Sequence, residues 1–319
     1  MTLDDYVHKF SLLVVNKDGG HQSPHKICML LAVLDAARAG ELPNNRIEFS
    51  PKILERYQYF FDPVASALDQ PNPHLPFFHL RGKLADHSPS FWHLVPIQGR
   101  EDALAALKTA TSPKKITDNI AYATLDPELF ALLSDPNNID VLMQALDRQW
   151  FGHRNALLEL RLKRSVAISR YERRLREGPR LAIIKEPPPP RYIRDPAFRR
   201  VVTEAYDYRC AATGARVVLP SGAALVEAAH IIPFSETQDD DPGNGLALSR
   251  DMHWAMDRHL IAPGPDLKWH VSKLIDSIGP ELDALNGLRG RPLLLPADER
   301  FRPKAAALEW RMAQLGHLE

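Results

Sequence analysis

The spacing of apolar residues divides the chain into helical and extended stretches before any chemistry is considered. Tyr6, Val7, Phe10, Leu12 and Leu13, interleaved with His8, Lys9 and Ser11, predict a first helix. After Gly19-Gly20, Pro24 stands early in a second helix whose run from Ile27 to Leu34 is apolar nearly all round, and such a helix is buried. Ser50-Pro51 opens a third, with Ser as N-cap, Pro in the first turn, and Ile53, Leu54, Tyr57, Phe60 and Phe61 at helical spacing. A proline-broken stretch from Pro71 to Arg81 precedes the strand-like Phe91-Trp92-His93-Leu94-Val95. Two short aromatic strands around the 82–90 connection predict a hairpin. Helical patterning returns over 118–147, and 148–178 reads as one long basic helix carrying Leu157, Leu160, Val166, Ile168 and Leu175. Four prolines, Pro187 to Pro190, form a semi-rigid spacer.

Beyond the spacer, Asp195-Pro196 predicts a helix running through Phe198, Val201, Val202 and Ala205 to Tyr206. Cys210-Ala211-Ala212-Thr213-Gly214 is a tight turn. Val217-Val218-Leu219 and 224–229 are strand-like and joined by Pro220-Ser221-Gly222, and the second strand ends in His230-Ile231-Ile232-Pro233. A loop holding Asp239, Asp240, Asp241, Gly243, Asn244 and Gly245 follows. Ser249 then caps a short helix that places His253 and Asp257 on one face at i, i+4.

A length of 319 residues predicts about two domains, here divided as 1–147, a 148–193 linker and 194–319. No run of 18 apolar residues occurs, so no membrane span is expected. Acidic residues near the N-terminus stand where a secretory signal would be basic, and Cys28 and Cys210 form no disulfide framework. The expected setting is cytoplasmic and reducing. The formal net charge is zero, which argues against a generic polycation, yet 148–200 carries fifteen Lys/Arg against five Asp/Glu. A positive stripe in a neutral protein fits a surface that tracks DNA phosphates.

His230, Asn244 and His253, spaced by 14 and 9 within a strand-loop-helix pattern and flanked by Ala-Ala-His-Ile-Ile-Pro and Asn-Gly-Leu, resemble the HNH (ββα-metal) endonucleases. The resemblance covers about a quarter of the chain. It implies a divalent ion, Mg2+ or Mn2+ or similar, with His230 as general base, His253 as metal ligand, and Asn244 orienting His230 through its backbone. Imidazole suits the base role because its ordinary pKa lies near neutrality. Many members place a ligating Asp or His just before the base. Here that position is Ala229, leaving Asp257 or Glu227 as candidate metal ligands. Cys210 has no Cys-x-x-Cys partner, so no structural zinc is expected.

Ser23-Pro24-His25-Lys26 and the stretch from Asn72 to Leu80 resemble the sulfur-binding domain of McrA-like type IV restriction enzymes, which act on phosphorothioate-modified DNA. The resemblance implies that Leu75, Pro76 and the stem of His79 line a sulfur pocket while His25 and Lys26 hold the anionic oxygens. Arg81, Gln98 and Arg100 are candidates for base contacts. Sulfur is larger and less hydrated than oxygen, so an apolar pocket accepts it at less desolvation cost. The expected whole is an α+β chain: an N-terminal mixed α/β DNA reader, a basic helical linker and a C-terminal ββα-metal nuclease. Its expected partner is double-stranded DNA, phosphorothioate-modified, and it is expected to act as a homodimer. An HNH enzyme reading unmodified or otherwise modified DNA, and an inactive HNH-fold binding module, remain the alternatives.

Overall fold

A computed structural model of the chain describes residues 1–18, 21–152, 155–178, 187–277 and 283–316. The chain divides into two compact units, one of residues 1–170 with 219–223, the other of 171–218 with 224–319. Both mix helices with small antiparallel sheets, each two-stranded among the described residues.

The first unit opens with α1 (Leu3–Ser11), capped by a reciprocal Thr2–Asp5 box. A small ladder of β1 (Lys17–Asp18) and β2 (His21–Gln22) follows; the Gly19-Gly20 break lies outside the described residues. Helix α2 (His25–Arg38) is buried over twelve of its fourteen residues, as its all-round apolar pattern requires. It packs against α3 (Pro51–Phe61). Ser50 is the N-cap of α3, but its side chain makes no capping bond. Two charged residues of α2 are also buried. Asp35 pairs with Arg56 of α3 and accepts from Ser169, and Arg38 pairs with Asp140. Buried ions in an apolar helix persist only when paired in this way.

The expected hairpin around 82–90 does not form. Its first strand is instead a helix, α4 (His74–His79), with Pro73 as N-cap and Pro76 in the first turn. Proline cannot donate to a sheet ladder, whereas in a first helical turn its missing N–H has no partner to lose. The strand β3 (Trp92–Pro96) pairs with β4 (Ile120–Leu125), Trp92 opposite Leu125, beyond α5 (Glu101–Ala106) and α6 (Pro113–Thr117). Then come α7 (Pro127–Leu132) and α8 (Pro136–Trp150).

The expected single helix over 148–178 is two: α8 ends at Trp150, and α9 (Ala156–Glu177) follows. Gly152, with φ of 62°, accepts the left-handed turn that ends α8, its N–H bonded to Asp147 O at 3.0 Å. The basic stripe is also less open than the sequence implies. Arg161, Lys163, Arg176, Arg191, Arg194 and Arg200 each pair with a carboxylate of the chain, and Arg194 and Arg200 are buried.

In the second unit α10 (Arg191–Ala205) starts at Pro190, not Asp195, and holds Pro196 in its interior. Asp195 does not cap; it pairs with Arg191 and Arg194. The stretch 217–219 makes only an isolated bridge, Val218 to Ala224. The partner of β5 (Val226–His230) comes later in the chain. After α11 (Phe234–Thr237), β6 (Gly245–Ser249) runs antiparallel to β5 with His230 opposite Gly245. Helix α12 (Arg250–Asp257) follows directly, which completes a ββα unit. Its flank is built by β7 (Ile261–Pro263) and β8 (Trp269–Val271), α13 (Asp283–Asn286) and α14 (Ala305–Ala313). No helix among the described residues is long and apolar enough to cross a membrane.

Candidate functional site

The end of β5 and the loop behind it hold His230 from every side. Its ring lies parallel to Phe198 of α10, with centroids 4.0 Å apart and planes 8° apart. Its Nε2 is 2.8 Å from Oδ1 of the buried Asp240. A carboxylate only accepts, so Nε2 carries a proton toward it and Nδ1 is the ring nitrogen not engaged by Asp240. Asp240 is itself anchored, receiving Arg194 Nη1 at 2.9 Å and the Tyr171 hydroxyl at 3.0 Å. The neighbouring acids are engaged elsewhere: Lys304 Nζ lies 3.1 Å from both Asp239 and Asp241.

Asn244 is buried, and all its bonds go to backbone. Its Oδ1 accepts from Ile232 N at 2.9 Å, and its Nδ2 donates to Ile232 O and Asp239 O at 3.0 Å. It thereby ties the turn after His230 to the acidic loop. Gly245 permits that closeness: a Cβ there would meet Val202 at 2.7 Å and Phe198, the residue stacked on His230, at 2.8 Å.

Arg311 of α14 completes the frame. It is buried, and its guanidinium donates to three carbonyls: Ile231 at 2.7 Å, His230 at 3.3 Å and Met256 at 3.3 Å. It therefore joins the end of β5 to the end of α12. Burial lowers its pKa to about 10, with Asp257 opposing the shift, and the group stays charged at neutral pH.

On α12, His253 Nδ1 lies 2.8 Å from Glu227 Oε1, and Nε2 lies 3.4 Å from Asp257 Oδ2. All three expected metal-binding residues are thus neighbours. Because the two carboxylates meet opposite nitrogens of one ring, no group of three such side chains among the described residues converges on a point. As a donor set, one imidazole and two carboxylates suit a hard divalent ion, and a cation would neutralise the two negative charges drawn to one ring. The donor chemistry suits such an ion, while one ring nitrogen at a time can serve it, with Glu227 on the Nδ1 side and Asp257 on the Nε2 side.

In the first unit a pocket of about 520 Å3 gathers His25, Lys26, Leu75, Pro76 and His79, together with Ser23, Asn72 and Lys83. Lys26 Nζ donates to Val14 O at 2.7 Å, and burial lowers its pKa. Burial first, then Lys26 and Arg81, likewise lower that of His79, whose Nε2 is 2.9 Å from Thr109 Oγ1. The ring of His25 is committed within the chain: Nε2 donates to Gln70 O at 2.8 Å, and Nδ1 lies 2.7 Å from Ser23 Oγ. His25 therefore shapes the wall and has no free nitrogen for a phosphate oxygen. Arg81, expected at base edges, bonds Leu107 O at 2.8 Å and lies 4.0 Å over the Phe78 ring. Gln98 and Arg100 are exposed after β3 and do not line the pocket.

Asp240, Phe198, Arg311 and Lys83 escape sequence reasoning. For Asp240 the signal was present, as an acid ten residues after His230, but it stood among three consecutive aspartates.

Residues 210–262 match a protein family described as HNH endonuclease, so the chain carries a domain of the nuclease kind. Nucleases of this family generally use a divalent metal ion. A solved structure titled "Modification dependent TagI restriction endonuclease" is similar over 38% of this chain and 38% of its own, at 21% identity and a TM-score of 0.30. The similarity therefore spans well under half of that protein. No curated protein matches the chain.

Proposed function

We propose that the chain is a modification-dependent restriction endonuclease, in which the first unit reads phosphorothioate DNA and the second cuts it. The observation that carries the reading is the pocket where Leu75 and Pro76 supply an apolar floor beside the cationic Lys26 and Lys83. An apolar surface next to ammonium groups matches a phosphorothioate, which presents soft sulfur and charged oxygen on one phosphorus. An ordinary phosphate oxygen would be stripped of water against Leu75 and Pro76 without recompense. Charge in this account comes from the two lysines, with His25 and His79 as walls. A duplex break by a site that cuts one strand at a time calls for two copies of the chain.

Cleavage follows from the frame around His230. Asp240 holds the Nε2 proton, Phe198 fixes the ring plane, and Asn244 and Arg311 fix the backbone, so Nδ1 is left to take a proton from the attacking water. His253, Glu227 and Asp257 would hold the divalent ion, Glu227 substituting for the ligand that Ala229 lacks. When bound, that ion supplies charge stabilisation to the phosphoryl and leaving oxygens.

Incubating the protein with matched phosphorothioate and unmodified plasmids in Mn2+ or Mg2+ tests the reading. Cleavage restricted to the modified plasmid is the expected result. Equal cleavage of both would replace sulfur reading with a reader of ordinary DNA, and no cleavage of either would point to an inactive module.

A further inference from the structure

We propose that Trp254 is a DNA contact of the nuclease domain, packing its indole on sugar and base edges beside the scissile phosphate while Arg250 and Arg258 meet flanking phosphates. This rests on the nuclease reading of the ββα unit and adds a substrate-positioning surface to it.

Helix α12 buries one side only: Met252, Ala255 and Met256 face the core. At 100° per residue, the opposite arc runs His253, Asp257, Arg250, Trp254, Arg258, with Asp251 at its far edge. Trp254 lies next to the centre of that arc, beside Arg250, and is 57% exposed. Arg250 and Arg258 flank it at i−4 and i+4, both exposed, Arg250 with a loose 3.7 Å pairing to Glu227. The other four tryptophans differ: Trp92 and Trp269 are buried, and Trp150 and Trp310 are half-buried.

A large indole held in water on a rigid helix, between two arginines and one residue from His253, has the composition of a nucleic-acid contact. Aromatic faces accept bases and sugars without regard to sequence, and arginines supply the phosphate term. The arc also carries Asp251 and Asp257, so its place beside His253 of the ββα unit, rather than its charge, selects DNA over a second copy of this chain. The position also suits the chemistry. Trp254 neighbours Asp257 at i+3, so DNA seated on the indole is brought to the side of the helix that bears the metal-binding residues.

Tryptophan emission of the full-length protein, titrated with a duplex of about 30 base pairs in EDTA, provides the test. DNA should quench the wild type, and Trp254→Phe should lose most of that quenching, since Trp254 alone among the five is exposed. In cleavage assays with whichever duplex the wild type cuts, Trp254→Ala should raise KM about tenfold and Trp254→Phe should restore most of the loss. The Mn2+ isotherm and Tm should stay unchanged. Arg258→Gln should reduce the salt slope of binding by about one. Undiminished quenching in Trp254→Phe, a wild-type KM in Trp254→Ala, or self-association that Trp254→Ala abolishes would each overturn the proposal. Failure of the wild type to cut any duplex would remove the nuclease reading alone, and the quenching result would still decide the contact.

Discussion

His230 and Asp240 form a coupled pair: Nε2 of the imidazole and Oδ1 of the carboxylate stand 2.8 Å apart, and Asp240 is 3% exposed. The pairing selects one tautomer and one ring orientation. His230→Ala should lower kcat by about 10²–10⁴ while leaving DNA affinity near wild type, since a general base acts on water. Asp240→Asn should fall short of that loss. The double variant should be no slower than His230→Ala, because residues acting as one unit do not add. A double variant slower than the single by the full Asp240→Asn factor would separate Asp240 from His230.

The proposed metal-binding set makes a ranked prediction. Glu227 approaches His253 more closely than Asp257 does, 2.8 against 3.4 Å, and is the less exposed of the two. Calorimetric titration with Mn2+ should lose its isotherm in His253→Ala and weaken by about tenfold or more in Glu227→Ala, with Asp257→Ala the milder change. An unaltered isotherm in Glu227→Ala would leave Ala229 uncompensated from the strand and move the second ligand to Asp257.

Arg311 makes a prediction about stability. Removing its guanidinium takes a charged donor from the carbonyls of His230, Ile231 and Met256, of which Met256 O keeps the His259 N–H. Arg311→Met should cost about 2–4 kcal/mol, seen as a drop of several degrees in Tm. Arg311→Lys should rescue little, since an ammonium cannot reproduce the planar fork. A wild-type Tm in Arg311→Met would make these bonds incidental.

What the sequence reveals depends on the range of the contacts involved. His230, Asn244 and His253 are legible because their spacing reflects a local strand-loop-helix path. Arg311, 81 residues beyond His230, is invisible because only tertiary packing brings it there. Phe198 reads as a helix residue, but nothing in its own helix tells that its ring stacks on a histidine. Likewise the aromatic run over 74–79 reads as extended, yet its prolines break ladders and suit a first helical turn, and the stretch forms α4. His25, Lys26, Leu75, Pro76 and His79 line one pocket, but the hydrogen bonds of His25 to Gln70 and of Arg81 to Leu107 come from tertiary packing that their own segments do not announce.

The pocket itself yields the last prediction. In the cleavage-impaired His230→Ala background, full-length protein should bind phosphorothioate duplex more tightly than the same duplex with ordinary phosphate. Both ligands are anionic and share Lys26 and Lys83, so raising salt should weaken both together and leave their ratio largely intact. The ratio must then come from the apolar floor. Pro76→Glu should erase it by placing a carboxylate on that floor, which lies beside Leu75. Lys26→Ala should lower both affinities and preserve the ratio, since it removes charge that either ligand would use. The reverse pattern in a gel-shift series across salt, with the ratio lost in Lys26→Ala and kept in Pro76→Glu, would show that electrostatics rather than the apolar surface does the selecting. Equal binding of the two duplexes by the parent would remove sulfur reading altogether and leave a nuclease whose first unit reads some other feature of DNA.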